Sequence, residues 1–504
     1  MLATATVSSA TVLGVDGRPV TVEVHVSGGL PAFAIVGLPD TSCRESRDRV
    51  RAALQSSGLT WPPHRITVNL APSSVRKIGS GLDLAIAVGV MVANGDVPAR
   101  AIEDLAFIGE LGLDGTVRPV AGMVPLVDAL RAPEVVVSVA AGAEARLVGR
   151  HKVRPVARLD ELALALRVEE PWPDHPEPPP PPPEAPPPDL SDVRGQPVAR
   201  KAVEVAAAGG HHLLLVGPPG AGKTMLARRL PALLPPLAHD QAIEATRIHS
   251  AAGVALPAGG LIRRAPFRAP HHSSTLVSLV GGGTAAMRPG EVSLAAHGVL
   301  FLDELGEFHA DVLDSLRQPL EEGVVRVSRA RATVSYPARF LLVAATNPCP
   351  CGEGGPPGGA CRCLEHARQR YRRRLSGPLL DRFDLRVDVT RPAVFDLLDG
   401  APAEATSVVL ARVLVARERA RARGVSCNAH LSDRHLEEHT SLTAGARRAL
   451  EVPLRNGRLS ARGLSRLRRV ARTLADLDGC DGPLTAEHVA LAMQFRADLA
   501  TGAP

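Results

Sequence analysis

The sequence predicts an α/β chain in three parts. A core built on a phosphate-binding loop is preceded by a smaller α+β region and followed by a helical region. Three observations predict this. Residues 217–224 (GPPGAGKT) lie between a short apolar strand and a helix. Residues 299–304 (VLFLDE) form an apolar run that ends in two carboxylates. Strand and helix patterns alternate before a proline-rich stretch, while residues 391–500 read as helices alone.

The chain has 504 residues, which at roughly 100–200 residues per domain suggests two to four domains. Apolar residues make up 45% and charged residues 22%, the balance of a folded globular protein. This excludes a chain disordered throughout. Aromatic residues are only 3%, which excludes a base-stacking platform of interleaved Phe and Tyr. Lys and Arg number 58 against 52 Asp and Glu, a net charge of +6. That is compatible with a polyanionic partner but does not require one. No apolar run reaches the roughly 18–20 residues of a membrane helix. Residues 1–14 have neither the basic start nor the long apolar stretch of a signal peptide. The expected location is therefore cytoplasmic, with no membrane partner. Seven cysteines, four of them clustered, in a reducing compartment argue for metal or chance and against disulfides.

The first region spans residues 1–168. Residues 19–27 (PVTVEVHVS) and 65–70 (RITVNL) alternate as strands do, and residues 82–94 form an apolar helix after Gly79 and Gly81. Residues 169–189 form a linker, which from Pro171 reads PWPDHPEPPPPPPEAPPPDL. Proline fixes φ and removes the N–H donor, so this stretch predicts a polyproline II spacer. At ~3.1 Å per residue it would reach about 60 Å. The alternative is a docking site for a proline-binding partner. The core spans 190–390 and the helical region 391–504. In the latter, helices are expected at 433–440, 444–451, 461–477 and 485–500. Pro453, Asn456-Gly457 and Asp478-Gly479 are expected to break them.

The phosphate loop consists of Gly217, Pro218, Pro219, Gly220, Ala221, Gly222, Lys223 and Thr224. Its glycines let backbone N–H groups converge on phosphate oxygens, and the following helix adds its positive end. Lys223 is placed to reach the β- and γ-phosphates of ATP, and Thr224 to ligate Mg²⁺. Asp303 and Glu304 emerge at the C-terminal end of a buried strand, where α/β sheets bind ligands. Asp303 is expected to hold Mg²⁺, and Glu304 to polarise an attacking water. A third apolar strand, 340–345, runs into Asn347, whose amide suits the water or the γ-phosphate. Arg382, within 379–385 (LLDRFDL), is the candidate arginine finger. Arg462 is a candidate to reach the nucleotide from the helical region.

These pieces, in this order, resemble an AAA+ ATPase, and within that group the magnesium-chelatase-like branch. The segments 192–196 (DVRGQ), 267–273 (FRAPHHS) and 289–294 (PGEVSL) carry the closer likeness. Residues 68–72 (VNLAP), 81–86 (GLDLAI) and 109–112 (GELG) resemble the Lon-protease-like domain that precedes the motor in the YifB/ComM group. The resemblance implies an AAA+ P-loop ATPase core with a helical lid domain, preceded by a Lon-protease-like α+β domain. It implies a hexameric ring driven by ATP and Mg²⁺, which in ComM-type members is a DNA helicase that promotes branch migration. Protease activity is not expected. The position where a Lon-type lysine base would follow a glycine reads Ala121-Gly-Met-Val124, and that chemistry needs a serine with a lysine partner.

Cys349, Cys351, Cys361 and Cys363 flank a Gly/Pro-rich loop. They are either a closed tetrahedral zinc site of structural type or four reduced thiols. Residues 322–328 and 332–336 predict a β-hairpin with Arg329 and Arg331 at its tip. That tip is either a grip on DNA phosphates or a solvated turn. His271-His272 reads as local capping or as part of a second pore element. Arg466, Arg468, Arg469 and Arg472 read as a solvated basic face. Two functions compete with the DNA motor. One is a chelatase-type ATPase and the other a protein-remodelling ATPase, each acting on a protein partner.

Overall fold

In the computed structural model the described residues build two large β-sheets, one ahead of the proline-rich stretch and one after it, together with three two-stranded pairings. The structure describes residues 3–176, 179, 185–258, 260–283, 287–329, 332–353, 361–374, 377–398 and 403–496.

The first sheet has seven strands. Their spatial order is Ala32–Val36, Arg65–Ala71, Asp16–Ser27, Ala3–Leu13, Leu105–Phe107, Glu134–Ser138 and Lys152–Val156. Ala3–Leu13 and Asp16–Ser27 pair antiparallel from Ala3↔Val26 to Leu13↔Asp16. Alternate residues of Asp16–Ser27 (Val20, Val22, Val24 and Val26) are buried, as period-two patterning requires. Helix Asp83–Asn94 covers this face and is buried from Asp83 to Ala93. Its N-terminal Asp83 is fully buried, held by Arg49 at 2.6 Å and by Ser46 at 2.5 Å.

The proline-rich stretch is not free at its start. Trp172 packs on the first core with the Arg154 guanidinium 4.7 Å above its ring, and His175 lies 2.9 Å from Glu161. These side chains fix the start of the stretch on the first region, because docking Trp172 partly buries a large apolar ring.

The second sheet has five strands, in the order Phe267–Arg268, Val299–Leu302, Leu341–Thr346, Leu213–Val216 and Leu385–Asp388. Every pairing is parallel. Apolar side chains alternate between the two faces of this sheet. Leu213, Leu215, Phe301, Val343 and Ala345 join the core formed with helices Pro197–Gly209, Thr406–Ala422 and Ala461–Leu477. Leu214, Val216, Leu300, Leu302, Leu342 and Ala344 join the opposite core. Both faces are covered, so these strands read as continuous apolar runs.

The opposite core also receives the turn of the first sheet. Val15 is buried there beside Val325, Val327, Val334 and Tyr336 of the hairpin Val324–Arg329/Ala332–Pro337. Arg247 pairs with Asp16 at 2.9 Å, and the Val124 N–H donates to Ser250 Oγ at 3.2 Å. The hairpin forms as expected, with Arg329 opposite Ala332. The Arg329 side chain and Arg331 lie outside the described residues.

The C-terminal region is helical: Thr406–Ala422, Asp433–His439, Ala444–Arg455, Ala461–Leu477 and Ala486–Gln494. The last four start at Ser432, Thr443, Ser460 and Thr485, each accepting an N–H from the first turn. The expected break at Pro453 does not occur, and helix Ala444–Arg455 runs through it. Pro453 falls in the final turn, so its missing N–H costs one hydrogen bond just before the helix ends at Asn456. Residues 497–500 of the expected last helix lie outside the described residues.

The expected solvated basic face is also corrected. Arg472 is 3% exposed and bonded to Asp476. Arg468 donates to Thr440, and Arg469 to the Leu431 carbonyl. The arginines tie helix Ala461–Leu477 to its neighbours instead of facing water. No helix among the described residues is long and apolar enough to cross a membrane.

Candidate functional site: a phosphate cleft

The C-terminal ends of three adjacent parallel strands, Leu213–Val216, Leu341–Thr346 and Val299–Leu302, meet at one cleft of about 400 Å³. It is lined by Pro219, Gly220, Ala221, Gly222, Lys223, Thr224, Met225, Asp303, Glu304, Thr346 and Asn347. Sheet topology thus gathers residues separated by more than a hundred positions. Gly220 and Gly222 have φ of +77° and +90°, and a Cβ on either would meet nothing within 4 Å. The loop backbone is therefore open toward the cleft, and helix Lys223–Arg229 begins at its rim.

Lys223 is nearly buried. Its Nζ donates to the Gly217 carbonyl at 2.5 Å, the Pro218 carbonyl at 3.0 Å and Asn347 Oδ1 at 3.1 Å. Burial lowers its pKa, while Asp303 and Glu304 pull the other way. A buried ammonium ringed by neutral oxygens is electrostatically suited to an anion. Thr224 Oγ1 donates to Asp303 Oδ2 at 2.7 Å, so a hydroxyl and a carboxylate from two elements converge, as an oxygen-liganded Mg²⁺ requires. Asp303 Oδ1 accepts the Glu304 N–H at 2.9 Å. Glu304 sits at φ +52°, ψ +48°, and its carboxylate is half exposed. The open loop, the buried amine and the hydroxyl–carboxylate pair together fit a magnesium nucleotide.

Arg382 and Arg462 do not line this cleft. Arg382 ion-pairs with Glu321, and its pKa is lowered first by burial and then by Arg466, Arg462 and Arg317. Arg462 is exposed at the start of helix Ala461–Leu477. The two candidates therefore share a basic cluster away from the cleft. One turn on, Arg466 lies 3.8 Å from Asp384. Burial pushes Asp384 up, but His211 at 3.4 Å and the nearby cations outweigh it and hold its carboxyl at about 2.

Cys349, Cys351, Cys361 and Cys363 come together beside the cleft, with their Sγ atoms all within 4.8 Å of one another. Three contacts escaped sequence reasoning. His272 Nδ1 lies 3.1 Å from Glu304 Oε2, Tyr371 Oη lies 3.1 Å from Thr346 Oγ1, and Gly352 abuts Pro219. Each joins positions far apart in sequence, which no local spacing encodes. His271, in contrast, turns to Ser273 at 2.8 Å, the local capping arrangement.

Comparison with known proteins fits this geometry. The family described as "Magnesium chelatase, subunit ChlI" matches residues 189–396. "Subunit ChlI of Mg-chelatase" matches 22–140, and "Magnesium chelatase, subunit ChlI C-terminal" matches 403–496. The chain is 46% identical to an uncharacterized protein of Mycobacterium tuberculosis over 97% of both chains. It is 41% identical to YifB of Escherichia coli, over 96% of this chain and 95% of YifB. It is also 41% identical to the competence protein ComM of Haemophilus influenzae, over 96% of each. The chain belongs to the YifB/ComM family of magnesium-chelatase-like proteins. Within a YifB/ComM chain, the phosphate cleft falls inside the magnesium-chelatase segment, as does the cysteine cluster.

Proposed function

We propose that this YifB/ComM protein is an ATP-hydrolysing AAA+ motor that assembles as a ring and works on branched or single-stranded DNA. The observation that carries the ATPase reading is the Thr224–Asp303 hydrogen bond, set beside the Lys223–Asn347 contact in one cleft. Bound Mg·ATP would supply the transferable γ-phosphoryl group and the cation that screens its charge. Lys223 neutralises the β- and γ-phosphates, and the loop N–H groups orient them. Thr224 Oγ1 and Asp303 would hold the cation. Glu304 accepts a proton from the attacking water, and Asn347 positions that water. Arg382, which lies off its own chain's cleft, would stabilise charge on the transferring group of a neighbouring copy in a ring. Arg462 acts on the nucleotide from the helical region as a lid.

The first region then serves as a non-proteolytic Lon-like domain in assembly or DNA contact. DNA as substrate is supported by the competence protein among the relatives and by the net charge of +6. The hairpin tip with Arg329 and Arg331 is the proposed grip. The experiment is steady-state ATP hydrolysis with and without single-stranded and four-way-junction DNA, at low and moderate salt. Several-fold stimulation that weakens with salt is expected. An assembled, active ATPase that ignores DNA at every salt would instead mark a protein-remodelling ATPase.

A further inference from the structure

Beside the phosphate cleft the four clustered cysteines form a geometric unit. Cys349 Sγ lies 3.3 Å from Cys351 Sγ and 3.6 Å from Cys361 Sγ, and Cys351 Sγ lies 3.7 Å from Cys361 Sγ. A disulfide needs about 2.05 Å, so none of these pairs is bonded. Four sulfurs around one zinc at about 2.3 Å would stand about 3.8 Å apart along each edge of the tetrahedron. The observed separations are close to that edge.

The cluster is also tied to the cleft from two sides. The Gly352 N–H donates to the Cys349 carbonyl at 3.0 Å, closing a tight turn around the first cysteine pair. Gly352 has φ of +80°, and a Cβ there would stand 2.5 Å from Pro219 Cδ of the phosphate loop. On the other side, Arg368 Nε donates to the Cys363 carbonyl at 3.4 Å. Tyr371, on the same helix Glu365–Arg374, reaches Thr346 Oγ1 next to Asn347.

We propose that Cys349, Cys351, Cys361 and Cys363 together bind one zinc ion, and that this ion braces the phosphate loop and Asn347 and thereby sets nucleotide affinity. Four thiolates leave no open position on the metal, so the ion is structural and not a catalyst. It pins residues 349–352 against Pro219, and it draws helix Glu365–Arg374 toward the end of strand Leu341–Thr346. The coupling rests on the reading of the cleft as the ATP site.

The test uses the full-length protein. Its metal content is measured by mass spectrometry, and its affinity for a fluorescent ATP analogue by titration. One zinc per chain is expected, and Co²⁺ exchanged into the site should show thiolate-to-metal charge-transfer absorption. Stripping the metal with a chelator should weaken nucleotide binding by about ten-fold, with recovery when Zn²⁺ is restored. Gly352→Ala should keep the zinc and lose affinity, because its Cβ pushes on Pro219. Iron in place of zinc, no bound metal, or Co²⁺ without thiolate bands would overturn the site. Equal affinity in the loaded and stripped protein, or in Gly352→Ala and wild type, would overturn the coupling. Lys223→Ala separates the two failures. If that variant binds nucleotide normally, the ATP reading itself is wrong. If it loses binding while the stripped protein does not, the zinc coupling alone is wrong.

Discussion

In the proposed function, nucleotide binding turns on Lys223. Its ammonium is held among three oxygens in a nearly closed position, so removing it takes away the one lysine charge that lines the cleft among the described residues. Lys223→Ala should reduce ATP affinity by at least about 100-fold, a loss readable by calorimetry. A second residue-scale prediction concerns His212. Burial lowers its pKa from the ordinary 6.5 to about 4, and its Nδ1 accepts the Leu342 N–H at 3.0 Å, which only the neutral ring can do. The unfolded chain takes up this proton below pH 6.5, while the folded chain resists until about pH 4. Stability from this group is therefore complete above pH 6.5 and is lost as pH falls toward 4. The melting temperature should drop across that window, and His212→Gln should flatten the drop. The phosphate loop and the acidic pair were legible at this scale, because each is a contiguous string whose chemistry depends on local spacing. The partner of Glu304 was not. His272 reaches it only because strands Phe267–Arg268 and Val299–Leu302 are neighbours in the sheet.

Among the elements, helix Ala461–Leu477 shows what sequence reading gains and loses. Its bounds follow from Ser460 at the N-cap and Asp478-Gly479 after the end, both visible in the chain. Its arginines were misread, because a charged run carries no mark of whether partners wait on the facing helix. Asp476 is fully buried and accepts from Arg423, Asn428 and Arg472. Asp476→Ala would strand two largely buried guanidinium groups, at a cost of about 3–5 kcal/mol. Chemical denaturation should show that loss in the C-terminal region. A change under about 1 kcal/mol would mean that water already satisfies those arginines. Strand Ala3–Leu13 escaped the sequence reading for a related reason. It is rich in Ala, Ser and Thr (ATATVSSATVL), and its alternation appears only once Val7, Ser9 and Thr11 are seen buried against neighbours.

At the scale of the whole molecule, the two covered faces of the second sheet follow from apolar runs that parallel strands need on each side. The packing of the Val15 turn against the hairpin could not be read, because it depends on how two separate sheets meet. Arg382 belongs to this scale as well, since it lies off its own chain's cleft. Arg382→Ala should keep ATP affinity and lose about 10³-fold or more in turnover, as loss of an arginine finger does. Mixing it with Lys223→Ala chains should restore part of the rate, since both lesions can then fall at one subunit interface and leave another with an intact lysine and an intact arginine. No rescue in mixed assemblies would confine Arg382 to its pairing with Glu321. The most direct test of the central claim is a side-by-side measurement of ATP binding and ATP turnover in Glu304→Gln and wild type. The cleft geometry predicts wild-type affinity with turnover reduced by about 10²–10⁴-fold, because the cradle is intact and only the base is gone. Unchanged turnover in Glu304→Gln would contradict it.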